Sequence, residues 1–319
     1  MDYRVIMNSN VITRAILNSA KNCRKNKRLK YHGEFIDRQK GYNKLCIILA
    51  GYKDLLTQTV FARVKKYIPK DVDVCVITSG LYKENIKNLC EKNEWSYLST
   101  KENHVSLVQN VAISLHPNAE YIYKLDEDIF VTEGYFDKLY EAFKVAQSGK
   151  YNVGVIAPLI PINGYGYMRI LEKEGLTNTF ESMFGKATFG AGPTKVIESS
   201  PEVAKFFWGE GGYVLGIDEL NKKYSSEAWR IEPCAIRFSI GAILFKRELW
   251  ESMGFLSVKK YVNPMGLDEI DLCSYCLIYS RPLMVCENVV VGHLSFGPQN
   301  KDMMEYYKAH ISDFEVKDI

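Results

Sequence analysis

Cysteine is scarce. Eight residues in 319, irregularly spaced, cannot make the dense framework of a small disulfide-stapled fold. Cys273 and Cys276 form a lone C-x-x-C with no second pair at zinc spacing, so they read as two ordinary helix positions. Long hydrophobic runs are missing too: no stretch reaches the ~18 apolar residues of a membrane span. Arg14 interrupts the apolar residues near the start, so nothing there has the form of a secretory leader, and a cytoplasmic protein is expected. No G-x-G-x-x-G sits where a dinucleotide would need it, and Leu49-Ala50-Gly51-Tyr52-Lys53 is no phosphate loop, which counts against a nucleotidyltransferase. An excess of one charge is also lacking. The net charge is +3, and six Lys or Arg fall between residues 21 and 30 with no acid among them, leaving −3 for the rest. A globally basic nucleic-acid binder is excluded.

What is present is the balance of a soluble globular chain, 47% hydrophobic and 25% charged, long enough for one large domain or two small ones without staples. Residues 1–40 read as an extension. Val11, Ile12, Ala15 and Ile16 share a helical face, and the basic run that follows is either a solvated turn or a surface for acidic lipid headgroups or an acidic partner. From residue 44 the texture alternates. Residues 45–50, 72–77 and 121–125 read as strands, and 55–67, 85–90 and 103–115 as helices, the pattern of parallel βαβ crossovers with ligands at the strands' carboxyl ends. Residues 158–233 are rich in Gly and aromatics and read as an irregular insertion.

Three segments carry the chemistry. Asp126-Glu127-Asp128 closes an apolar strand, and alternation lets Asp126 and Asp128 converge on one point. Three acids there repel one another unless a cation neutralises them, and hard oxygen ligands suit Mn²⁺ or Mg²⁺. Apolar Leu125 and Ile129-Phe130-Val131 on either side argue against a plain acidic surface turn. Asp268, Glu269 and Asp271 follow a turn at Asn263-Pro264-Met265-Gly266 and occupy a helix start, where capping or proton removal from a hydroxyl are both open readings. His293 ends an apolar strand, either as a structural residue or as a ligand to metal or phosphate.

In this order the pieces resemble the family 2 glycosyltransferases of the GT-A fold. Asp126-Glu127-Asp128 is similar to the D-x-D motif and Asp268-Glu269-Ile270-Asp271 to the E-D-x-D motif. Gly241 through Phe245, with Trp250 and Gly254-Phe255, is similar to the connecting stretch, and His293 to the late histidine. The resemblance implies an α/β GT-A-type nucleotide-sugar-binding fold, with a mostly parallel central sheet flanked by helices. Residues 41–300 would form it, with 158–233 on the acceptor side and 301–319 as a helical tail. It implies inverting sugar transfer from a nucleoside diphosphate sugar, uridine by default, to a saccharide or glycolipid, as in surface polysaccharide synthesis. Carried over, Glu269 is the base with Asp268 as its rival, and Asp126, Asp128 and His293 hold Mn²⁺ or Mg²⁺. Ala50, Gly51, Tyr52, Thr78, Asn110, Asp126 and Glu127 touch the donor, and Trp208, Tyr213 and Asp271 the acceptor. The chain departs from the family pattern at Gly51-Tyr52-Lys53-Asp54 and Thr78-Ser79-Gly80. A retaining GT-A enzyme and a non-catalytic sugar- or nucleotide-binding module are the alternatives. Membrane contact, if any, falls to residues 21–30.

Overall fold

The structure, a computed structural model, describes residues 19, 22, 23, 25–259 and 266–316. The expected helical face at Val11–Ile16, part of the basic run (Lys21 and Arg24), and Asn263-Pro264-Met265 lie outside the described residues. Strands form at Gly33–Ile36 (β1), Lys44–Leu49 (β2), Asp73–Ser79 (β3), Ser96–Thr100 (β4), Tyr121–Leu125 (β5), Ile129–Phe130 (β6) and Val155–Leu159 (β7). Ile231–Pro233 (β8), Ala242–Lys246 (β9), Leu283–Val290 (β10) and Gly292–His293 (β11) follow. Nine of them make one sheet in the order β1-β4-β3-β2-β5-β9-β7-β10-β8, while β6 and β11 pair separately. Six strands share a direction; β1, β8 and β9 run against it. The protein is thus a mixed α/β fold on a large, mostly parallel sheet.

The helices Asp54–Tyr67 (α1), Glu84–Asn93 (α2), Val105–Leu115 (α3) and Tyr135–Gln147 (α4) follow successive strands of this sheet. In α1 the spacing of Leu56, Val60 and Val64 makes one buried stripe, and the helix stops at Ile68, before a proline that cannot continue it. The stretch read as irregular is largely helical: Gly166–Glu174 (α5), Thr177–Phe184 (α6), Val196–Ser199 (α7), Pro201–Phe207 (α8) and Ile217–Ser225 (α9). Its aromatics join the main core, with Phe180 against Phe184, Phe206 and Phe207. Ser200 caps α8 by accepting from the Val203 N–H, with Pro201 at the first helical position. Arg247–Ser252 (α10), Leu267–Ile278 (α11), Asn300–Ala309 (α12) and Ile311–Phe314 (α13) follow.

Two expectations change. Ser96–Thr100, passed over between two helices, is a fully buried strand, and β1, inside the expected extension, pairs with it as an edge strand. The basic run is also partly built in: Arg28 donates to the carbonyls of Gly254 and Phe255, and Lys25 lies over the Phe255 ring. Among the described residues no helix is long and apolar enough to cross a membrane.

Strand order fixes where a site can form. β2 lies between β3 and β5, so the winding reverses between β2 and β5 and their carboxyl ends open a crevice. Ile48 pairs with Leu125, so both strands end level. The turn at residues 50–53 and the acids Asp126, Glu127 and Asp128 therefore meet at that crevice.

Candidate active site

The turn after β2 is wrapped around a carboxylate. Glu127 Oε2 accepts from the backbone N–H of Gly51, Tyr52 and Lys53 at 2.8, 2.9 and 2.9 Å. Gly51 sits at φ +114°, a conformation closed to most side chains, and an added Cβ would come within 2.8 Å of Leu81. Burial pushes the Glu127 carboxyl above its ordinary value, against the pull of these N–H groups. A donor contact from Glu127 was expected; here its oxygen anchors the loop. Tyr52 is exposed and its hydroxyl donates to the Ser79 carbonyl.

Asp128 is buried, with Oδ2 2.5 Å from Lys53 Nζ and 3.3 Å from His293 Nε2. Burial alone would raise its pKa, but Lys53 and His293 outweigh burial and hold the carboxyl well below the ordinary range. The small β6–β11 pair brings His293 there, and its Nδ1 meets the Ile162 carbonyl at 3.1 Å. Burial opposes the charge of His293, yet Asp128 raises its pKa above the ordinary value. Asp126 Oδ1 lies 2.6 Å from Nζ of Lys124, a buried lysine that also donates to the Ile240 carbonyl. Lys124 on β5 and Asp126, the residue just past its end, are two apart in the chain, which lets their side chains meet on one side.

The expected cation shell of Asp126, Asp128 and His293 does not assemble. Each aspartate is matched to a lysine, and among the described residues no three His, Cys, Asp or Glu side chains converge on a point that would hold a metal. As arranged, these residues do not fit Mn²⁺ or Mg²⁺.

The second cluster stands at the start of α11. Buried Asp268 accepts from Gln109 Nε2 of α3 at 2.8 Å. Glu269 Oε1 lies 2.9 Å from Arg237 Nε, and Arg237 reaches Glu198 of α7 at 3.7 Å. Burial, opposed by Arg237 and reinforced by Asp268, pushes the Glu269 carboxyl up to about 7. Lys124 feels both clusters, since Asp126, Asp268 and Glu269 all hold its pKa up against burial.

Other expected positions have structural partners. Thr78 is buried and donates to the Leu81 carbonyl, and Ala50 lies buried at the end of β2. Asn110 is enclosed, accepting from Trp250 Nε1 and the Leu256 N–H. Asp271 accepts from the Ser257 N–H at 2.5 Å. Trp208 offers no free face for a sugar: it is buried against Phe130 and Phe314, and its Nε1 donates to the His293 carbonyl. Gly292 permits this, because a Cβ there would meet the indole at 2.4 Å. Tyr213 remains exposed, stacked on Phe206.

No family model and no curated protein matches the chain. Among solved structures it is similar to the mannosyltransferase PcManGT from Pyrobaculum calidifontis in complex with GDP-Man and Mn²⁺, at 14% identity. That alignment covers 94% of this chain and 73% of that one, with a TM-score of 0.48. S. aureus TarS 1-349 is similar at 10% identity over 86% of this chain and 67% of that one, TM-score 0.44. A mycobacterial protein is similar at 11% identity over 80% and 68%, TM-score 0.41.

Lys53, Lys124, Gln109, Arg237 and Glu198 were not singled out from the sequence. Only Lys124 left a local signal, as a lysine inside an apolar strand two residues before an acid. Such a lysine, when buried, calls for a carboxylate partner.

Proposed function

We propose that the protein transfers a sugar, with inversion, from a nucleoside diphosphate sugar to a hydroxyl of a saccharide or glycolipid acceptor. The observation that carries this is the contrast between two carboxylate clusters, at the end of β5 and at the start of α11, that both act on buried Lys124. Asp128 is held ionised by Lys53 and His293, whereas Glu269 is poised near neutrality. Unlike environments for paired carboxylates assign unlike tasks. The first cluster faces the donor, at the switch point where nucleotides bind in open α/β sheets. The second takes the acceptor's proton.

In this reading the acceptor oxygen attacks the anomeric carbon as its proton passes to the Glu269 carboxylate. The bond from that carbon to the diphosphate breaks, and the diphosphate leaves with the electron pair. Arg237 orients the base, and Gln109 fixes Asp268 beside it. Asp268 already accepts a buried hydrogen bond, which favours Glu269 over it as the base. A glycolipid acceptor would bring the protein to a membrane surface, with exposed Lys27 and Lys30 as the contact.

Acceptor-dependent turnover of Glu269→Gln tests the assignment. Losing the general base should lower turnover by a factor of ~10²–10⁴ while donor affinity stays near wild type. Asp268→Asn is the control and should keep most of its turnover. The reverse order of effects would move the base to Asp268, and near-normal turnover in both would refute the mechanism.

A further inference from the structure

The acids at the end of β5 already have their counter-charges. Lys53 Nζ sits 2.5 Å from Asp128, and only 20% of the Lys53 side chain is open to solvent. Lys124 answers Asp126 in the same way with its side chain 3% exposed, and the three N–H groups of the β2 turn answer Glu127. Buried charges persist where they are paired, so each of these contacts replaces the water its partners lost. A divalent ion that bound Asp128 through Oδ2 would displace Lys53 and leave a largely covered ammonium without its carboxylate.

The position of Lys53 also matters. It is the last residue of the turn that Glu127 grips, so its backbone is fixed at the crevice between β2 and β5. An ammonium has three N–H donors; Asp128 takes one, and among the described residues no other acceptor bonds Lys53 Nζ, so the remaining donors can meet an arriving phosphate oxygen.

We propose that Lys53 is the resident cation of this site: it supplies, in place of a divalent metal, the positive charge that faces the donor diphosphate, so that donor binding needs no metal. The proposal rests on the donor class given above and deepens it.

Calorimetry with UDP and GDP as probes, in EDTA and in Mn²⁺, together with titration of Mn²⁺ alone, tests it. Wild-type protein should bind one of the nucleotides equally well in EDTA and in Mn²⁺, and should bind Mn²⁺ alone more weakly than Lys53→Met does. In Lys53→Met, nucleotide affinity in EDTA should fall by ~10-fold or more, as loss of a charge-assisted contact implies. Added Mn²⁺ should restore it, because Asp128 and His293 are then free to take the ion. Lys53→Arg, which keeps the charge, should bind in EDTA as wild type does, and thermal melting of each variant reports whether it is folded. Wild-type nucleotide binding that disappears in EDTA, or Mn²⁺ binding equally tight in wild type and Lys53→Met, would overturn the proposal. Absence of binding by either nucleotide in every condition would instead refute the donor class, and the Mn²⁺ titrations would still decide the role of Lys53.

Discussion

At Glu269 a single carboxyl group links protonation, activity and stability. As the proposed base it must be ionised, so turnover should climb as pH rises through about 7 and fade below it. A pH–rate profile flat from 5 to 8 would contradict this. The stability effect runs the other way. The folded value lies above the ordinary 4.5, so the folded protein holds a proton that the unfolded chain has released between those values. The contribution of Glu269 to stability is therefore full below about 4.5 and is lost as pH rises through about 7. Glu269→Gln stays neutral throughout. It should match wild type at acid pH and exceed it at pH 8 by on the order of 2 kcal/mol, discounted for the partial exposure of the side chain. Denaturant melts at the two pH values measure the difference.

At the scale of elements, the turn after β2 depends on Glu127. Removing the carboxylate in Glu127→Ala leaves three N–H groups without their acceptor, and should lower stability by roughly 1.5–3 kcal/mol. Amide exchange at Tyr52 and Lys53 should accelerate, and unchanged protection there would show that the loop holds itself. This turn also marks how far the sequence could be read. That β2 ends before Gly51 and β5 at Leu125 is visible locally, because an apolar run stops at the glycine and the second strand runs into three consecutive acids. Strand β4 was not visible, since Ser96-Tyr97-Leu98-Ser99-Thr100 has one aliphatic residue and its burial comes from neighbours β1 and β3. The insertion's helices were hidden for another reason. They are short, four to nine residues each, so a stripe such as Ile217, Leu220 and Tyr224 on α9 spans too few turns to stand out among the glycines around it. The partners of the acids lie furthest from local reading: Lys53 is 75 residues from Asp128, and Gln109 is 159 from Asp268. Spacing along the chain can nominate carboxylates but not the cations and amides that the fold delivers to them.

At the scale of the whole molecule, the sheet sets the arrangement and the periphery ties it down. Arg63 of α1, fully buried, pairs with Asp218 of α9 and donates to the carbonyls of Phe314 and Glu315, so the C-terminal segment is locked to the first crossover. Arg28 of the basic run is locked as well, and among the described residues of that run Lys27 and Lys30 are exposed. Sedimentation with anionic liposomes should therefore weaken once salt passes ~0.15 M, and weaken equally in Lys27→Glu/Lys30→Glu. Binding unaffected by that double substitution would remove the basic run from any membrane role. The proposal turns on two carboxylate clusters, one at the end of β5 facing the donor and one at the start of α11 facing the acceptor, with Lys124 feeling both. Inversion at the anomeric carbon is its direct chemical consequence. The decisive measurement is the anomeric configuration, by proton NMR, of the glycoside formed from α-linked UDP- and GDP-sugars with a saccharide acceptor. A β-linked product is predicted; an α-linked product, or no transfer from any such donor, would contradict the account.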